Sequence, residues 1–423
     1  MAKFRLMPSI YLFNGEMVDK DTKEKIGDGD AVAQAILLNN LGADELLIFD
    51  LSSTDEEHEK NISTMIKISD EADIPTIVGG NVKRLEDVKK YLYSGAKKTF
   101  LDTAKESNRD LVKEAAERFG GDKIAVLIHD DFDFSKVKQL KYDGASLVIA
   151  ENCARQCFGQ GIRVVSYNAG IEAAEYVEMG IGEKVYGISD VSMDETYDYQ
   201  KIKNELYKNG VSTNVFVPKF QFSDLKTNAD GMIPVIVQDY KTNQVLMLAY
   251  MNEEAFNLTI ATGKMTYYSR SRDEIWVKGE TSSHYQYVKE LSVDCDLDTM
   301  LAKVHQIGVP CHTGAETCFF NEVVKKDYED TNPMRVFEDV YNVILDRKEH
   351  PKEGSYTNYL FDKGIDKILK KVGEEATEIV IAAKNPDPQE IKYEISDFLY
   401  HVMVLMAEKG VNWKEIIKEL SRR

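Results

Sequence analysis

Short apolar runs alternate with amphipathic stretches over the first half of the chain. Eight runs have the length and the β-branched content of buried strands, and they cover residues 6–13, 45–51, 76–80, 97–102, 124–129, 146–151, 163–167 and 184–191. Intervening stretches such as 30–41, 84–93 and 168–179 follow the helical period of about 3.6 residues. Because eight strand–helix units fit a closed (β/α)8 barrel, the pattern predicts an α/β barrel over residues 1–215.

The pattern changes after the predicted barrel. Four further strands are predicted, at residues 233–238, 244–250, 265–269 and 275–278. The first two flank Asp-Tyr-Lys-Thr-Asn at 239–243, which is typical of a hairpin turn, and residues 253–262 have helical spacing. This mixture predicts an α+β domain over residues 216–328.

The end of the chain has helical periodicity throughout. Four stretches show it, at residues 337–348, 362–384, 390–408 and 413–420. An Asn-Pro-Asp-Pro segment at 385–388 separates the two longest, and a charged linker, 325–332, precedes all four. An all-α domain over residues 334–423 follows, so the chain is multidomain, and three domains agree with the usual ~150 residues per domain.

Composition and charge exclude several classes of protein. The chain has 53 basic and 72 acidic residues, a net charge of −19, and no basic stripe, so we expect no nucleic-acid partner. Its first residues do not have the pattern of a secretory leader, and no apolar run reaches about 18 residues, so we expect no secretory leader, no membrane span and a cytoplasmic location. Five sparse cysteines are typical of ligands or nucleophiles rather than of a disulfide framework.

The middle domain concentrates thiols and carboxylates. Three thiols recur at spacings of 16 and 7 residues, at Cys295, Cys311 and Cys318. Three thiol ligands leave the fourth position of zinc for water, as in catalytic zinc sites. Three acids surround the first thiol, at Asp294, Asp296 and Asp298. Their oxygens suit Mg²⁺, which in turn could hold a substrate phosphate.

The spacing of these residues also suggests a second subunit. If segment 294–298 is extended, its three carboxylates share one face and Cys295 points to the other. Cys295 would then meet Cys311 and Cys318 from another copy of the chain. Taken singly, such features are also typical of buried core cysteines and of solvated acidic loops.

Residues 229–323 closely resemble phosphoribosyl-AMP cyclohydrolase of histidine biosynthesis. The shared motifs are Trp-Val-Lys-Gly-Glu-Thr-Ser at 276–282, the acids at 294–298, Cys-His-Thr-Gly at 311–314 and Cys-Phe at 318–319. The resemblance implies Zn²⁺ on the three thiols, Mg²⁺ on the three aspartates, and a homodimer with zinc sites across its interface. One departure is Ser283-His284, where the family usually has glycine after Thr-Ser.

This resemblance implies hydrolytic opening of an adenine ring. The phosphoribosyl group at N1 makes carbon C6 electrophilic, water activated by zinc attacks C6, and the C6–N1 bond opens. His312 is the first candidate for general acid/base catalysis. Lys278 could bind a phosphate and Glu280 could orient a water. The remaining substrate-binding candidates of this motif are Gly279, Thr281 and Ser282.

Two pairs of acids lie on the predicted helices of the last domain. Glu375 and Glu378 are three residues apart, and Glu394 and Asp397 repeat that step on the next helix. Residues at i and i+3 share a helical face, so two facing helices can gather four carboxylates around Mg²⁺. A solvated salt-bridge face is the alternative.

Residues 334–423 resemble phosphoribosyl-ATP pyrophosphohydrolase. The motifs are Gly-Ser-Tyr-Thr at 354–357, the segment 363–378, and Tyr-Glu-x-x-Asp at 393–397. The resemblance implies Mg²⁺ on the four acids and hydrolysis between the α- and β-phosphates of phosphoribosyl-ATP. Candidate phosphate contacts, which could equally face solvent, are Lys363, Lys367, Lys370 and Lys371. A general nucleoside triphosphate pyrophosphohydrolase is the alternative for this domain.

Residues 1–210 resemble the isomerase and cyclase barrels of the same pathway, which act on phosphoribosyl substrates. The match is carried by segments 42–50, 74–80 and 84–88. By that resemblance, and through loop backbone, phosphate would be held at Gly79, Gly80, Thr103 and Gly170.

The catalytic acids of those barrels are missing here. Tyr11 ends the first strand and His129 the fifth, where the family has carboxylates, and a tyrosine cannot replace a carboxylate that moves a proton at neutral pH. We therefore predict a non-catalytic barrel that serves as scaffold, docking or phosphate-binding module. The alternatives are an active isomerase or cyclase that uses His129, Asp130 and Asp131, or a sensor of a pathway intermediate.

Overall fold

Two units make up the chain, Met1–Val323 and Val324–Arg423. The computed structural model describes residues 3–168, 170, 175, 185–189, 191–327, 335–385 and 388–421. All strands in these ranges belong to the first unit, and the second is helical in its described part.

A parallel sheet closed by its first strand forms the barrel. Its strands are β1 (Arg5–Leu6), β2 (Ser9–Phe13), β4 (Leu46–Asp50), β5 (Thr76–Gly79), β6 (Lys98–Asp102), β7 (Ile124–Ile128), β8 (Leu147–Glu151), β9 (Arg163–Tyr167) and β10 (Val185–Ile188), with a short antiparallel β3 (Glu16–Met17). The hydrogen-bonded order is β1-β10-β9-β8-β7-β6-β5-β4-β2-β3. Since β1 and β2 are two parts of one stretch, pairing of β1 with β10 and of β2 with β4 closes the circle.

The break between β1 and β2 falls at Pro8, which has no N–H to donate to a ladder. The neighbouring backbone groups continue the pairing on both sides. The N–H of Met7 donates to the carbonyl of Ile188 at 2.8 Å, and the N–H of Leu47 donates to the carbonyl of Pro8 at 3.0 Å. The predicted (β/α)8 fold class is thereby confirmed.

Helices cover the outside of this barrel. They are α1 (Ala31–Leu41), α2 (Asp55–Glu71), α3 (Leu85–Tyr93), α4 (Glu106–Phe119), α5 (Val137–Tyr142), α6 (Ala154–Cys157) and α7 (Tyr199–Lys208). Asp30 caps α1 by accepting two backbone N–H groups, and Thr54 with Glu57 forms a capping box on α2. The helix predicted at 168–179 lies almost entirely outside the described residues.

The strands bury both faces, as a parallel sheet requires. Side chains of one face, such as Leu47, Phe49 and Phe100, fill the interior, and those of the other, such as Ile48 and Val126, pack under the helices. The strands all run the same way, so their carboxyl ends meet at one mouth of the barrel.

The α+β part of the first unit has two small sheets and one helix. Its elements are β11 (Ile233–Asp239), β12 (Val245–Met251), α8 (Glu253–Thr262), β13 (Thr266–Ser269), β14 (Glu274–Val277), β15 (Gln286–Val293) and β16 (Met300–Gln306). The larger sheet has the order β12-β11-β16-β15, and β13 pairs with β14. The predicted hairpin at 239–243 and the predicted helix are both present.

In the described part of the second unit there are five helices: α9 (Val336–Glu349), α10 (Tyr356–Lys363), α11 (Ile365–Ala382), α12 (Pro388–Lys409) and α13 (Trp413–Leu420). The prediction of one helix over 362–384 was wrong at its start. Gly364 has φ 76° and ψ −175°, which breaks the helical path and leaves a separate α10 before it. The linker predicted at 325–332 is described only as far as residue 327.

Among helices in the described ranges, none combines the length and the apolar content needed to cross a bilayer.

Candidate functional sites

A tight turn gathers the three aspartates of the middle domain. Val293 and Met300 are antiparallel partners, so the residues between them must reverse the chain. The condition considered above, an extended segment 294–298, is therefore not met. Oxygens of the three carboxylates nevertheless lie within 4.8 Å of one another, all exposed, at Asp294, Asp296 and Asp298.

The conformation of this turn is fixed by its first acid. One carboxylate oxygen of Asp294 accepts the N–H groups of Asp298 and Thr299 at 3.0 and 3.2 Å. Leu297 adopts a left-handed φ of 65°. The acids are thus held together by the backbone, and their common role as ligands remains a prediction.

Two of the three predicted zinc thiols lie side by side. Cys311 is buried, and a hydrogen bond from the Thr313 hydroxyl, 3.0 Å away, holds the pKa of the Cys311 thiol below its usual range. Burial, together with the neighbouring Cys311, raises the pKa of Cys318. Cys295 lies on the aspartate turn, and within the described ranges no group of three ligand atoms joins it to these two thiols.

Lys278 reaches the loop that carries the first of these thiols. Its side chain is buried and its ammonium donates to the carbonyl of Pro310 at 2.8 Å. Burial lowers the pKa of Lys278. The ammonium therefore lies next to Cys311 and is already engaged by a backbone oxygen.

The rest of the predicted substrate motif forms an exposed turn after β14. Gly279 has φ 95°, and a Cβ there would meet the backbone N of Tyr285 at 2.5 Å, so only glycine fits. The exposed members of the set are Glu280, Thr281, Ser282 and, beside the first thiol, His312. The structure thus places this exposed turn directly after the buried Lys278, whose ammonium lies next to the buried Cys311.

The departure at 283–284 has a structural consequence. Ser283 takes φ 60°, a left-handed conformation that favours glycine. His284 then lies against Gly308, and its Nδ1 donates to the carbonyl of Val309 at 3.0 Å. The histidine therefore connects the substrate-motif turn to the segment that leads into Cys311.

Three of the four predicted acids converge in the helical unit. Oxygens of Glu375, Glu394 and Asp397 lie within 4.8 Å of one another, and Glu375 is buried. Burial, a hydrogen bond with Glu378 and the neighbouring acids raise the pKa of Glu394. Glu378 therefore adjoins the cluster without belonging to its closest trio.

Sequence reasoning missed the histidine beneath this cluster. His401 is buried, and its Nδ1 donates to the carbonyl of Asp397 at 2.8 Å while lying 3.6 Å from an oxygen of Glu375. Its Nε2 is 3.0 Å from the hydroxyl of Tyr356. The spacing in the sequence could have indicated this histidine, because His401 follows Asp397 by four residues and therefore lies on the same helical face.

The predicted phosphate-binding lysines divide into two pairs. Lys371 lies 3.2 Å from both Glu374 and Glu375, and these hydrogen bonds raise its pKa. Lys370 pairs with Glu374 as well, at 3.2 Å. The ammonium groups of Lys363 and Lys367 each lie 5.9 Å from the ring of Tyr359.

A second network missed by sequence reasoning lies at the barrel mouth. His129 Nε2 is 2.8 Å from Asp102, and its Nδ1 is 2.7 Å from Glu151. Hydrogen bonding to Asp102 and Glu151 raises the pKa of His129 to about 9. Lys20 reaches across to Glu151 at 2.5 Å. The sequence could have indicated this network, since Asp102 and Glu151 each end a strand and the strand ends of a barrel meet at one mouth.

Of the three alternative catalytic residues of the barrel, His129 is the centre of this network, and the other two follow it in the chain. Asp130 and Asp131 are exposed. The hydroxyl of Tyr11, which lies within β2, is 2.7 Å from that of Tyr167. The position of the family's first acid is thus filled by a tyrosine pair.

Packing accounts for three of the four predicted barrel phosphate contacts. A Cβ on Gly79 would lie 2.3 Å from the carbonyl oxygen of Phe100, and one on Gly80 would lie 2.5 Å from that of Asp50. Thr103 is buried and its hydroxyl donates to the carbonyl of Leu127 at 2.9 Å. The fourth, Gly170, is exposed with φ 59°.

Three family profiles match successive parts of the chain. They are the histidine biosynthesis protein family at residues 5–169, phosphoribosyl-AMP cyclohydrolase at 247–320 and phosphoribosyl-ATP pyrophosphohydrolase at 337–423.

Curated relatives are named as bifunctional proteins of histidine biosynthesis. Histidine biosynthesis bifunctional protein HisIE of Thermoanaerobacter pseudethanolicus is 50% identical over 209 residues, which are 46% of this chain and 97% of the relative. The protein of the same name from Bacillus subtilis is 45% identical over 203 residues, covering 48% of this chain and 96% of the relative. These relatives are thus about half as long as this chain.

The barrel-mouth network predicts a specific dependence of stability on pH. The pKa of His129 is raised from 6.5 to about 9 in the folded chain, so its contribution is complete below pH 6.5 and is lost as the pH rises through about 9. Hydrogen exchange of the β7 amides, measured from about pH 6 to about pH 10 and corrected for intrinsic exchange rates, should show falling protection. In His129→Gln this fall should be smaller, and equal falls in both proteins would contradict the assignment.

Proposed function

The chain belongs to the family of the histidine biosynthesis bifunctional protein HisIE, and we propose that its two hydrolase domains act in sequence on phosphoribosyl nucleotides. The helical domain converts phosphoribosyl-ATP to phosphoribosyl-AMP and pyrophosphate. The middle domain then opens the adenine ring of phosphoribosyl-AMP. The product of the first reaction is the substrate of the second, which gives the fusion a chemical reason.

The carboxylate cluster between α11 and α12 carries the first assignment. Oxygens of Glu375, Glu394 and Asp397 within 4.8 Å of one another form a hard donor set that fits Mg²⁺, and Glu378 adjoins them. Bound Mg²⁺ would polarise the phosphates and activate a water. Attack of water between the α- and β-phosphates breaks that bridge and releases pyrophosphate. His401 holds the backbone of Asp397 and so orients the cluster.

The adjacent thiols carry the second assignment. Cys311 and Cys318 supply two soft ligands that fit zinc, and Cys295 of a second subunit would supply the third in a homodimer. Bound zinc would lower the pKa of a water that adds to C6 of the adenine. His312 lies beside the thiols to donate the proton that lets the C6–N1 bond break. Asp294, Asp296 and Asp298 would hold a second cation, Mg²⁺, for the substrate phosphate.

The substrate-motif turn completes this site. Lys278, Gly279 and the exposed turn after them would contact the phosphoribosyl groups, with Glu280 orienting water. The buried ammonium of Lys278 supports the loop before Cys311, which gives it a structural share in the site as well.

The barrel is proposed as a scaffold or docking module. Tyr11 is hydrogen-bonded to Tyr167, and both ring nitrogens of His129 are taken by carboxylates. An active isomerase or cyclase barrel is the second candidate, favoured by the location of the His129 network at the strand ends. Turnover of the ring-opened product by the full chain, lost in His129→Gln, would establish it, and absence of turnover would exclude it.

The deciding experiment is incubation of the full chain with phosphoribosyl-ATP in the presence of zinc and magnesium. We expect one pyrophosphate per substrate and then the ring-opened product. Ordinary ATP is the control substrate, and comparable pyrophosphate release from it would indicate a general pyrophosphohydrolase instead.

Cys311→Ala should abolish ring opening and leave pyrophosphate release intact. Loss of a direct ligand should lower the ring-opening rate by ~100-fold or more, since even outer partners of a metal site cost ~10–100-fold. Both reactions are measured on the same preparation, and Cys157→Ala, which removes a buried barrel thiol, is the control. Loss of both activities would refute independent sites.

Glu375→Ala should have the reverse effect. Without its buried carboxylate the cluster loses a ligand, so pyrophosphate release should fall by ~100-fold or more, while ring opening of added phosphoribosyl-AMP continues. Glu374→Ala, which removes the half-buried neighbour paired with Lys370 and Lys371, is the matched control. Unchanged pyrophosphate release in Glu375→Ala would contradict the Mg²⁺ role.

A further inference from the structure

One carboxylate of the barrel contacts the hairpin turn of the middle domain. Asp73 lies between the end of α2 and the start of β5. It accepts a hydrogen bond from the hydroxyl of Tyr240, and the ammonium of Lys241 lies 2.8 Å from it. Both partners belong to the turn between β11 and β12, so one acid binds two neighbouring residues of that turn.

Neighbouring side chains of the middle domain fix the position of the Tyr240 ring at this contact. The ring of Tyr240 packs edge-on against His305, with centroids 5.8 Å apart, and the ammonium of Lys289 lies 5.1 Å from the Tyr240 ring. Lys241 and Lys289 bring positive charge to this surface, and Asp73 supplies the opposing negative charge from the barrel.

The same turn leads into β12, the strand whose backbone is hydrogen-bonded to the segment that carries Cys318. β12 begins at Val245, directly after the turn. The carbonyl of Val245 accepts the hydroxyl of Thr317 at 2.7 Å, and the carbonyl of Leu246 accepts the N–H of Cys318 at 2.7 Å. The backbone of Cys318 is thus bound to the first two residues of β12.

The turn itself is internally braced. The N–H of Asp239 donates to the carbonyl of Gln244 at 2.9 Å, and one carboxylate oxygen of Asp239 accepts the N–H groups of Lys241 and Thr242 at 2.9 and 2.8 Å. A restraint on Tyr240 and Lys241 is therefore passed to the start of β12.

A second contact fixes the barrel against the middle domain. The side-chain amide of Asn204, on α7, donates to the carbonyl of Ala261, near the end of α8, at 2.9 Å. A single contact would leave the barrel free to rotate relative to the middle domain. Two contacts at separate elements restrict that rotation.

We propose that Asp73 is a positioning residue for the thiol pair of the middle domain. By holding the β11–β12 turn, the barrel keeps the start of β12, and with it the backbone of Cys318, in the register that places its thiol beside Cys311. The proposal rests on the zinc site of the proposed function for its effect on metal binding. It makes the barrel a structural part of the ring-opening site.

The test compares Asp73→Asn with the wild-type full chain. Hydrogen exchange of the Cys318 amide in the metal-free protein should accelerate, and zinc affinity, measured by competition with a chromophoric chelator, should fall by ~3–30-fold. The cobalt-substituted protein should show altered thiolate absorption bands. Pyrophosphate release should not change. Glu59→Gln, which lies on helix α2 just before Asp73 and removes an ion pair with Lys90, is the matched control and should alter none of these measurements.

A second variant guards against simple misfolding. Tyr240→Phe removes only the hydroxyl that donates to Asp73 and keeps the ring against His305, so it should shift the same measurements in the same direction by a smaller amount. Unchanged Cys318 exchange and zinc affinity in both variants would overturn the proposal. Failure of the wild-type chain to bind zinc would refute the zinc site instead, and the exchange measurement would still decide the role of Asp73.

Discussion

Repulsion between carboxylates that the backbone holds close together is the constraint around which both proposed hydrolase sites are built. Packing of α11 against α12 brings Glu375 and Asp397 together with a third acid, and the β15–β16 turn does the same for three aspartates. Such clusters are unfavourable for an apoprotein and favourable for a divalent cation, since each carboxylate supplies a hard oxygen ligand. The net charge of −19 is therefore partly concentrated where cations would offset it.

The sequence predicted the features that depend only on residues close together in the chain. The pairing of Glu375 with Glu378 depends only on helical periodicity, so the acid face was predicted before any packing was known. The aspartate turn could not be predicted because β15 and β16 were not among the predicted strands, and the turn exists only because Val293 pairs with Met300. The break at Gly364 was missed because the surrounding apolar periodicity continues through it.

The contacts that could not be predicted join residues that are distant along the chain. His129 meets Glu151 only because β7 and β8 are neighbours in a closed sheet, and Lys20 reaches Glu151 across 131 residues of sequence. Tyr240 meets Asp73 for a similar reason, since the separation between them is set by the packing of two domains. The sequence pattern predicts where strands end, but it does not predict which strand ends lie next to each other in the fold.

The barrel mouth differs from the two acid clusters in its balance of positive and negative charge. At the mouth, two carboxylates face two cations, Asp102 and Glu151 against His129 and Lys20, and both ring nitrogens of the histidine have partners. A network satisfied in this way stabilises a fold but leaves little unbalanced charge with which to bind a cation or to move a proton. The acid cluster of the helical unit holds three carboxylates against one close ammonium, that of Lys371, 3.2 Å from Glu375. This excess of negative charge supports the proposal that the hydrolytic chemistry resides in the two domains that follow the barrel.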